Sequence, residues 1–225
     1  MNLRPLSSLG LAAVLFTSLA CSLSIQSSQA GMSVAATADE VTPLVAGDKA
    51  PQFSLQTVEQ QSFDFDPQKL ERPVVLLTFR GGWCPYCNVY LSEMRHVIPE
   101  IKALGVDVLF LSGDRPELLF KSLSMETQED IAGLDYTILS DANAEAAIAL
   151  GIAFTAGDRT VGWLQKNDYD IEGSSIAKHH ALPVPAVFAI DTSGVIRFSH
   201  INPNYKVRLP ADELIAAVRK IATAE

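Results

Sequence analysis

Two cysteines separated by two residues, Cys84 and Cys87, have the residue type and spacing most suited to chemistry in this 225-residue chain. They lie where an apolar run that predicts a buried strand gives way to helical spacing. A cysteine at a helix N-terminus faces unpaired backbone N–H groups and the positive end of the helix dipole, which favour the thiolate. Arg80, on the approach to the motif, adds a positive charge. We therefore predict that Cys84 is the nucleophile.

Cys87 follows Cys84 by almost one helical turn on the same face. Its thiol is therefore placed to attack a mixed disulfide or a sulfenate formed on Cys84. Pro85 suits an early helical position, where its missing N–H leaves no hydrogen bond unmade. Trp83 either shields the pair from water or offers a flat contact to a partner, and packing in the core is an equal alternative. The pattern predicts a redox-active disulfide with no cofactor.

Other uses of the cysteine pair stay open at this point. A structural zinc site needs a second pair of ligands at similar spacing, and the chain has only three cysteines in all. A structural disulfide that closes so short a loop stabilises little. A copper-binding or assembly role would recruit His179 or His180 as a further ligand. We predict redox chemistry at the pair and no metal.

The rest of the chain supplies the elements that would position this motif. Buried apolar runs alternate with segments of helical spacing, which is typical of a parallel sheet covered by helices. We predict an α/β fold, a thioredoxin-like three-layer sandwich with a central mixed sheet and an N-terminal β-hairpin extension. The predicted strands are 53–56, 62–65, 74–79, 106–111, 137–139, 187–190 and 195–199; the predicted helices are 84–104 (kinked or split at Pro99), 116–125, 142–150 and 211–223; residues 151–182 are predicted to be irregular.

Residues 1–30 have the layout of a secretory signal peptide. Arg4 is the one charged residue among them, and an apolar stretch follows it from residue 9 to residue 20. Small residues near the end of the segment suit cleavage before Gly31. Cys21 ends the apolar stretch, so a lipoprotein is the alternative. The expected organisation is a signal peptide over residues 1–30, a linker over residues 31–46 and one domain over residues 47–225, in a periplasmic or secreted protein.

Composition and charge exclude several classes of protein. The chain has 48% hydrophobic residues, and its 17 Lys and Arg against 26 Asp and Glu give a formal net charge of −9. This apolar content excludes a disordered chain, and three cysteines exclude a disulfide-rich scaffold. An acidic chain without a Lys/Arg cluster repels phosphate, so we expect no nucleic-acid partner. A lipid on Cys21 would be the only link to a membrane.

Five segments occur in an order that a known family shares: residues 47–55 (GDKAPQFSL), 78–87 (TFRGGWCPYC), 111–114 (LSGD), 139–141 (LSD) and 188–194 (FAIDTSG). Together they resemble the alkyl hydroperoxide reductase C / thiol-specific antioxidant family, the peroxiredoxin-like branch of the thioredoxin superfamily. The resemblance covers about residues 44–224. It implies a thiol peroxidase that a thioredoxin-like protein reduces. In thioredoxin-like folds a proline just before this strand carries a cis peptide bond and lies against the CxxC motif, and we expect this of Pro185. The alternatives are Pro183 in that role, or Pro185 as the simple start of a strand.

The chain departs from the peroxidases of that family at two points. Leu77 and Gly81 stand where their motif has Pro and Thr or Ser, and Pro185 stands where a later arginine is expected. The CxxC motif and Pro185 are similar instead to those of exported thioredoxin-like disulfide reductases. Arg80 would then act as the cation near a peroxide. The first hypothesis is therefore a peroxide substrate for the Cys84 thiolate, and the alternative is a protein disulfide.

Overall fold

The computed structural model describes Met1 and residues 33–222, so the predicted signal peptide, apart from Met1, lies outside the described residues. No helix in the described part is long and apolar enough to cross a membrane. Residues 33–222 form nine strands and seven α-helices: β1 (Phe53–Gln56), β2 (Ser62–Phe65), β3 (Val74–Phe79), α1 (Pro85–Glu93), α2 (Ile98–Ala103), β4 (Asp107–Ser112), α3 (Met125–Ile131), β5 (Thr137–Ser140), α4 (Glu145–Ala149), β6 (Ala153–Thr155), α5 (Asp158–Lys166), α6 (Ser175–His179), β7 (Ala181–Pro183), β8 (Ala186–Ile190), β9 (Ile196–Ile201) and α7 (Ala211–Ala222).

Seven of the strands form one mixed sheet in the order β2-β1-β5-β4-β3-β8-β9. Strands β3, β4 and β5 are parallel, whereas β8 runs antiparallel to β3 and β1 runs antiparallel to β5. Strands β6 and β7 pair separately as a short antiparallel ribbon. The predicted mixed sheet with an N-terminal β-hairpin is confirmed.

Strand β3 lies at the centre of the sheet and determines where the cysteine motif emerges. All six of its residues are buried, as a continuous β-branched and aliphatic run predicts for a strand covered on both faces. Val75, Leu77 and Phe79 pack in the core that α1, α2 and α7 cover. Val74 and Leu76 point to the opposite core, which α4 and the N-terminal hairpin complete. This anchoring on both faces fixes the end of β3, from which the motif follows.

Proline and serine positions explain how the helices differ from the prediction. The predicted helix 84–104 is split, since α1 ends at Glu93 and α2 begins at Ile98 with Pro99 in its first turn. The predicted helix 116–125 was wrong, because only Pro116–Leu118 forms a 3-10 turn there. Helix α3 instead begins after Ser124, whose hydroxyl accepts a hydrogen bond from the Thr127 N–H.

The segments predicted as irregular or as a linker are ordered parts of the domain. Residues 151–182 were predicted to be irregular, which was wrong: they contain β6, α5, α6 and the start of β7. Ala35, in the predicted linker, pairs with the edge of β6, where its N–H donates to Ala153 O at 2.9 Å. The Leu44 N–H likewise donates to Leu150 O at 3.1 Å. The described part of residues 31–46 therefore packs against the domain.

Candidate active site

The CxxC motif lies at the junction between β3 and α1, as its sequence context predicts. Cys84 is the N-cap residue of α1 and Pro85 is its first residue. The Cys84 carbonyl accepts hydrogen bonds from the N–H groups of Cys87 at 3.0 Å and Asn88 at 3.1 Å, which close the first helical turn. Both cysteines are reduced and buried, with exposed fractions of 1% for Cys84 and 0% for Cys87.

Two polar side chains that the sequence did not single out as site residues hold the loop before Cys84. The buried Asp114 carboxylate accepts a hydrogen bond from the Gly82 N–H at 2.8 Å and from the Ser122 hydroxyl at 3.2 Å. The Asn88 amide donates to Gly82 O at 2.7 Å and to Cys84 O at 3.0 Å, and its oxygen accepts from the Ser124 N–H. The backbone around the nucleophile is therefore fixed from two sides.

The pKa values of the two thiols are shifted in opposite directions. A hydrogen bond from the Cys87 thiol is the largest cause that lowers the pKa of Cys84 from 9.0 to about 7. The Cys87 N–H and the positive charges of Arg80 and Arg208 also lower it, while burial opposes them. Burial, and next the hydrogen bond to Cys84, raise the pKa of Cys87 well above 9.0. Cys84 therefore ionises first, and Cys87 stays protonated and donates to it.

Aromatic rings enclose the Arg80 guanidinium beside Cys84. Its central carbon lies 4.3 Å from the Tyr205 ring centroid and 5.1 Å from the Trp83 ring centroid, both within the range of cation–π attraction. Tyr205 also meets Tyr86 edge to face, with ring centroids 5.7 Å apart. Arg80 and Trp83 are both buried. The predicted supporting residues Arg80 and Trp83 thus form one packed unit with Tyr205, which the sequence analysis missed.

The two glycines of the motif leave room for this packing. A Cβ added at Gly81 would lie 2.2 Å from the Trp83 indole nitrogen, and one added at Gly82 would lie 2.0 Å from Ser122 Oγ. The peroxidases that the sequence resembles have Thr or Ser at the position of Gly81. Here the Trp83 ring occupies the space that such a side chain would need.

Arg208, which no sequence motif marks, contacts the second cysteine directly. Its Nη2 donates a hydrogen bond to Cys87 Sγ at 3.3 Å, and its central guanidinium carbon lies 5.8 Å from the Tyr90 ring centroid. Its Nη1 is buried without a hydrogen-bond partner among the described residues. The pair of sulfurs therefore has two cations near it, Arg80 before α1 and Arg208 after β9.

The cis peptide bond expected at Pro185 is absent. The Val184–Pro185 bond is trans, as is every described peptide bond. The Thr78 hydroxyl bridges the flanking groups, because it donates to Val184 O at 3.1 Å and accepts from the Ala186 N–H at 2.9 Å. These bonds tie the extended segment to β3. Pro185 shares the lining of a small cavity with Arg208.

The histidines considered as copper ligands are not assembled with the cysteines. His179 ends α6, and His180 follows it with a left-handed backbone conformation. Within residues 33–222 no group of three or more His, Cys, Asp and Glu side chains could hold a metal ion. The copper-binding alternative therefore has no ligand set in the described part of the chain.

Comparison with known proteins places most of the described chain in one family. The profile of the AhpC/TSA family matches residues 46–199, which include β3, the CxxC motif and α1. Residues 200–225, and with them Tyr205 and Arg208, lie outside the match. Arg80 and Trp83 therefore lie inside the region that matches the family, whereas Tyr205 and Arg208 lie outside it.

Curated relatives have two kinds of name. The chain is 35% identical over 115 residues to "Peroxiredoxin Bcp" of Escherichia coli (strain K12), which covers 50% of this chain and 67% of that protein. It is 30% identical over 107 residues to "Thiol-disulfide oxidoreductase ResA" of Halalkalibacterium halodurans, which covers 48% of this chain and 57% of that protein. Each of the two hypotheses about the substrate, a peroxide and a protein disulfide, therefore has a relative whose name agrees with it.

Solved structures with similar folds are named as peroxiredoxins. A peroxiredoxin-like protein from Aquifex aeolicus has a TM-score of 0.60 at 20% identity and covers 80% of this chain and 89% of its own. A single-residue mutant of the peroxiredoxin 6 of Arenicola marina has a TM-score of 0.61 at 18% identity, over 78% of this chain and 72% of its own. At this identity the likeness establishes the fold, the predicted thioredoxin-like sandwich.

Proposed function

Because the chain belongs to the AhpC/TSA family and is an oxidoreductase, we propose that it is a thiol peroxidase that works through a Cys84–Cys87 dithiol–disulfide cycle. The observation that carries this proposal is the unequal pair of thiols. The Cys84 pKa is lowered to about 7, whereas the pKa of the buried Cys87 is raised. One sulfur is therefore a nucleophile near neutral pH, and the other is held in reserve beside it.

In the first step the Cys84 thiolate attacks one oxygen of a peroxide. The S–O bond forms as the O–O bond breaks, and the leaving alkoxide or hydroxide takes a proton to become alcohol or water. Cys84 is oxidised to a sulfenic acid while the peroxide is reduced. The Arg80 guanidinium, held between Trp83 and Tyr205, keeps a positive charge near the reacting sulfur.

In the second step Cys87 loses its proton and attacks the oxidised sulfur of Cys84. The S–S bond forms as the S–O bond breaks, and the departing hydroxide leaves with a proton as water. An external dithiol, which we propose to be a thioredoxin-like protein, then restores both thiols by exchange. The cycle needs no cofactor, since the disulfide itself carries the two electrons.

A protein disulfide is the second candidate substrate. Two observations favour it: the 30% identity to a thiol-disulfide oxidoreductase, and the Trp83 ring that takes the place of a Thr or Ser side chain at Gly81. With this substrate the Cys84 thiolate attacks a disulfide sulfur, and Cys87 then releases the substrate by attacking the mixed disulfide.

A turnover assay separates the two substrates. Protein with a dithiol reductant is mixed with hydrogen peroxide or an organic hydroperoxide, and in parallel with a disulfide-bonded protein such as insulin. We expect peroxide consumption that exceeds the reductant-only background and is lost in Cys84→Ser. Reduction of the disulfide substrate with no peroxide consumption would replace the peroxidase proposal with the alternative.

We also propose that the protein is exported, either by cleavage after the signal peptide or as a lipoprotein through Cys21. The support is the sequence of residues 1–30, with Arg4 followed by an apolar stretch. Mass analysis of the protein isolated from its host tests this. A chain that begins at or near Gly31, or a lipid on Cys21, is the expected result, and an intact Met1 in the cytoplasmic fraction would contradict export.

A further inference from the structure

We propose that Arg208 is a catalytic residue of the second half of the cycle, where its guanidinium stabilises the Cys87 thiolate as Cys87 attacks the oxidised sulfur of Cys84. This inference rests on the proposed dithiol–disulfide cycle, but it concerns a residue outside the region that the family shares. The observation behind it is the hydrogen bond from Arg208 Nη2 to Cys87 Sγ, at 3.3 Å.

Cys87 needs such a cation because its surroundings oppose ionisation. Its exposed fraction is 0%, and burial is the largest cause that raises its pKa. A thiol attacks another sulfur as the thiolate, so this raised pKa would leave the resolving step slow. When Cys84 becomes a neutral sulfenic acid, the repulsion from its thiolate disappears, but the cost of burial stays. The charge of Arg208 is one of the interactions that lower the Cys87 pKa.

The charge of Arg208 is not neutralised by a neighbour. Within residues 33–222 no carboxylate lies in ion-pair contact with it, and its Nη1 is buried without a hydrogen-bond partner. A partly buried guanidinium without a carboxylate partner is unfavourable unless another group uses the charge. The Cys87 sulfur, at hydrogen-bond distance, is the reacting group that can use it.

In the described part of the chain, Arg208 is the only cation whose side chain donates a hydrogen bond to the Cys87 sulfur. Cys84, the N-cap residue of α1, acts as a negative neighbour, and Tyr90 on α1 presents its ring to Arg208. The backbone N–H of Arg80 donates to Cys87, whereas its side chain is stacked between rings. From β9, His200 faces the same small cavity, and burial lowers its pKa toward the neutral form. Arg208 is therefore the cation in direct contact with Cys87, and its charge also acts on Cys84 together with that of Arg80.

The step balances without a further reactant. The Cys87 thiolate forms the S–S bond with Cys84, the Cys84 S–O bond breaks, and the hydroxide takes up the proton that Cys87 lost. Arg208 forms and breaks no covalent bond in this step. It supplies charge and a hydrogen bond, and the electrons come from Cys87.

The first test does not depend on peroxide. In a Cys84→Ser background, the ionisation of Cys87 is followed by thiolate absorbance against pH, with and without Arg208→Gln. We expect Arg208→Gln to raise the midpoint of the Cys87 titration by about one pH unit. At any pH below the midpoint, this shift means a tenfold smaller fraction of Cys87 thiolate. Lys206→Gln is the matched control, because it removes a positive charge from the same segment, and the Lys206 ammonium lies over the Tyr86 ring and donates no hydrogen bond to Cys87 within the described residues. Equal midpoints in Cys84→Ser and Cys84→Ser/Arg208→Gln would overturn the proposal.

The second test reads the step itself. The reduced protein is mixed with one equivalent of hydrogen peroxide, and the Cys84 sulfenic acid is trapped with dimedone and counted by mass spectrometry. We expect the sulfenic acid to persist about tenfold longer in Arg208→Gln, toward the behaviour of Cys87→Ser, with the rate of its formation much less affected. Unchanged persistence in a folded Arg208→Gln would contradict the proposal. If Arg208→Gln does not fold, Arg208→Met, which also removes the charge but keeps much of the length of the side chain, is tested in the same way.

The two tests keep the proposals separate. If no variant forms a sulfenic acid, the peroxidase proposal fails, while the titration of Cys87 still decides whether Arg208 stabilises its thiolate. In that case the same stabilisation would act when Cys87 attacks a mixed disulfide on Cys84.

Discussion

Alkylation of Cys84 by iodoacetamide is expected to rise with pH to a midpoint near 7, and Arg80→Gln is expected to move this midpoint upward. At pH 7 about half of Cys84 would be thiolate, against about one part in a hundred for a thiol at the ordinary pKa of 9.0, a difference of roughly 50-fold. Arg80 contributes because its charge lowers the Cys84 pKa. Mass spectrometry after timed quenching identifies Cys84 as the alkylated residue.

The expected direction of the shift in the Cys84 pKa follows from the charge of the thiolate. Removing a cation near a thiol destabilises the thiolate, so the pKa rises and less thiolate is present at any pH below it. Arg72→Gln is the matched control, since Arg72 precedes β3 as Arg80 follows it, and its side chain is exposed at the opposite end of that strand. Equal midpoints in Arg80→Gln and Arg72→Gln would contradict a role for Arg80 in activating Cys84.

Gly82→Ala is expected to lower the free energy of unfolding by about 2–3 kcal/mol, within the range for inserting a methyl group into a packed site. The new Cβ would lie 2.0 Å from Ser122 Oγ and 2.5 Å from the Ser122 backbone carbonyl carbon. The loop cannot move away freely, because Asp114 and Asn88 hold both backbone groups of Gly82. Denaturant unfolding curves measure the change.

Gly162→Ala provides a control of opposite sign. Gly162 lies within α5 and is exposed, and an added Cβ would meet no heavy atom within 4 Å other than those of its chain neighbours and of the backbone of its own helix. Alanine is preferred to glycine inside a helix, so this substitution is expected to raise the free energy of unfolding by about 0.5–1 kcal/mol. A Gly82→Ala protein as stable as the wild type would show that the loop around Cys84 is less tightly held than these contacts imply.

The parts of the site that local sequence patterns describe were predicted well. A six-residue apolar run predicted β3, and the change to helical spacing at Cys84 predicted α1, so the junction that carries the cysteines was placed correctly. Pro99 predicted the break in the following helix. Each of these signals acts within a few residues, where backbone preference and burial pattern decide the structure.

Contacts between distant segments could not be predicted in the same way. Arg208 and Cys87 are 121 residues apart, and nothing in the irregular segment after β9 indicates that it covers the motif. Asp114 was visible as part of a family landmark. Its hydrogen bond to Gly82 depends on the parallel pairing of Phe79 with Ser112, which brings the ends of β3 and β4 together. Sequence periodicity predicts the individual helices and strands, but the register in which two strands pair follows from tertiary packing.

The most direct test of the peroxidase proposal is the rate at which the reduced protein's Cys84 is oxidised by hydrogen peroxide at pH 7, followed by rapid mixing and mass analysis. Ionisation alone would make Cys84 react roughly 50-fold faster than a thiol at the ordinary pKa of 9.0. We predict that the second-order rate constant of Cys84 exceeds that of such a thiol by more than this factor, and that the product is a Cys84–Cys87 disulfide. A rate no greater than this thiolate correction explains, with no disulfide formed, would contradict the proposal.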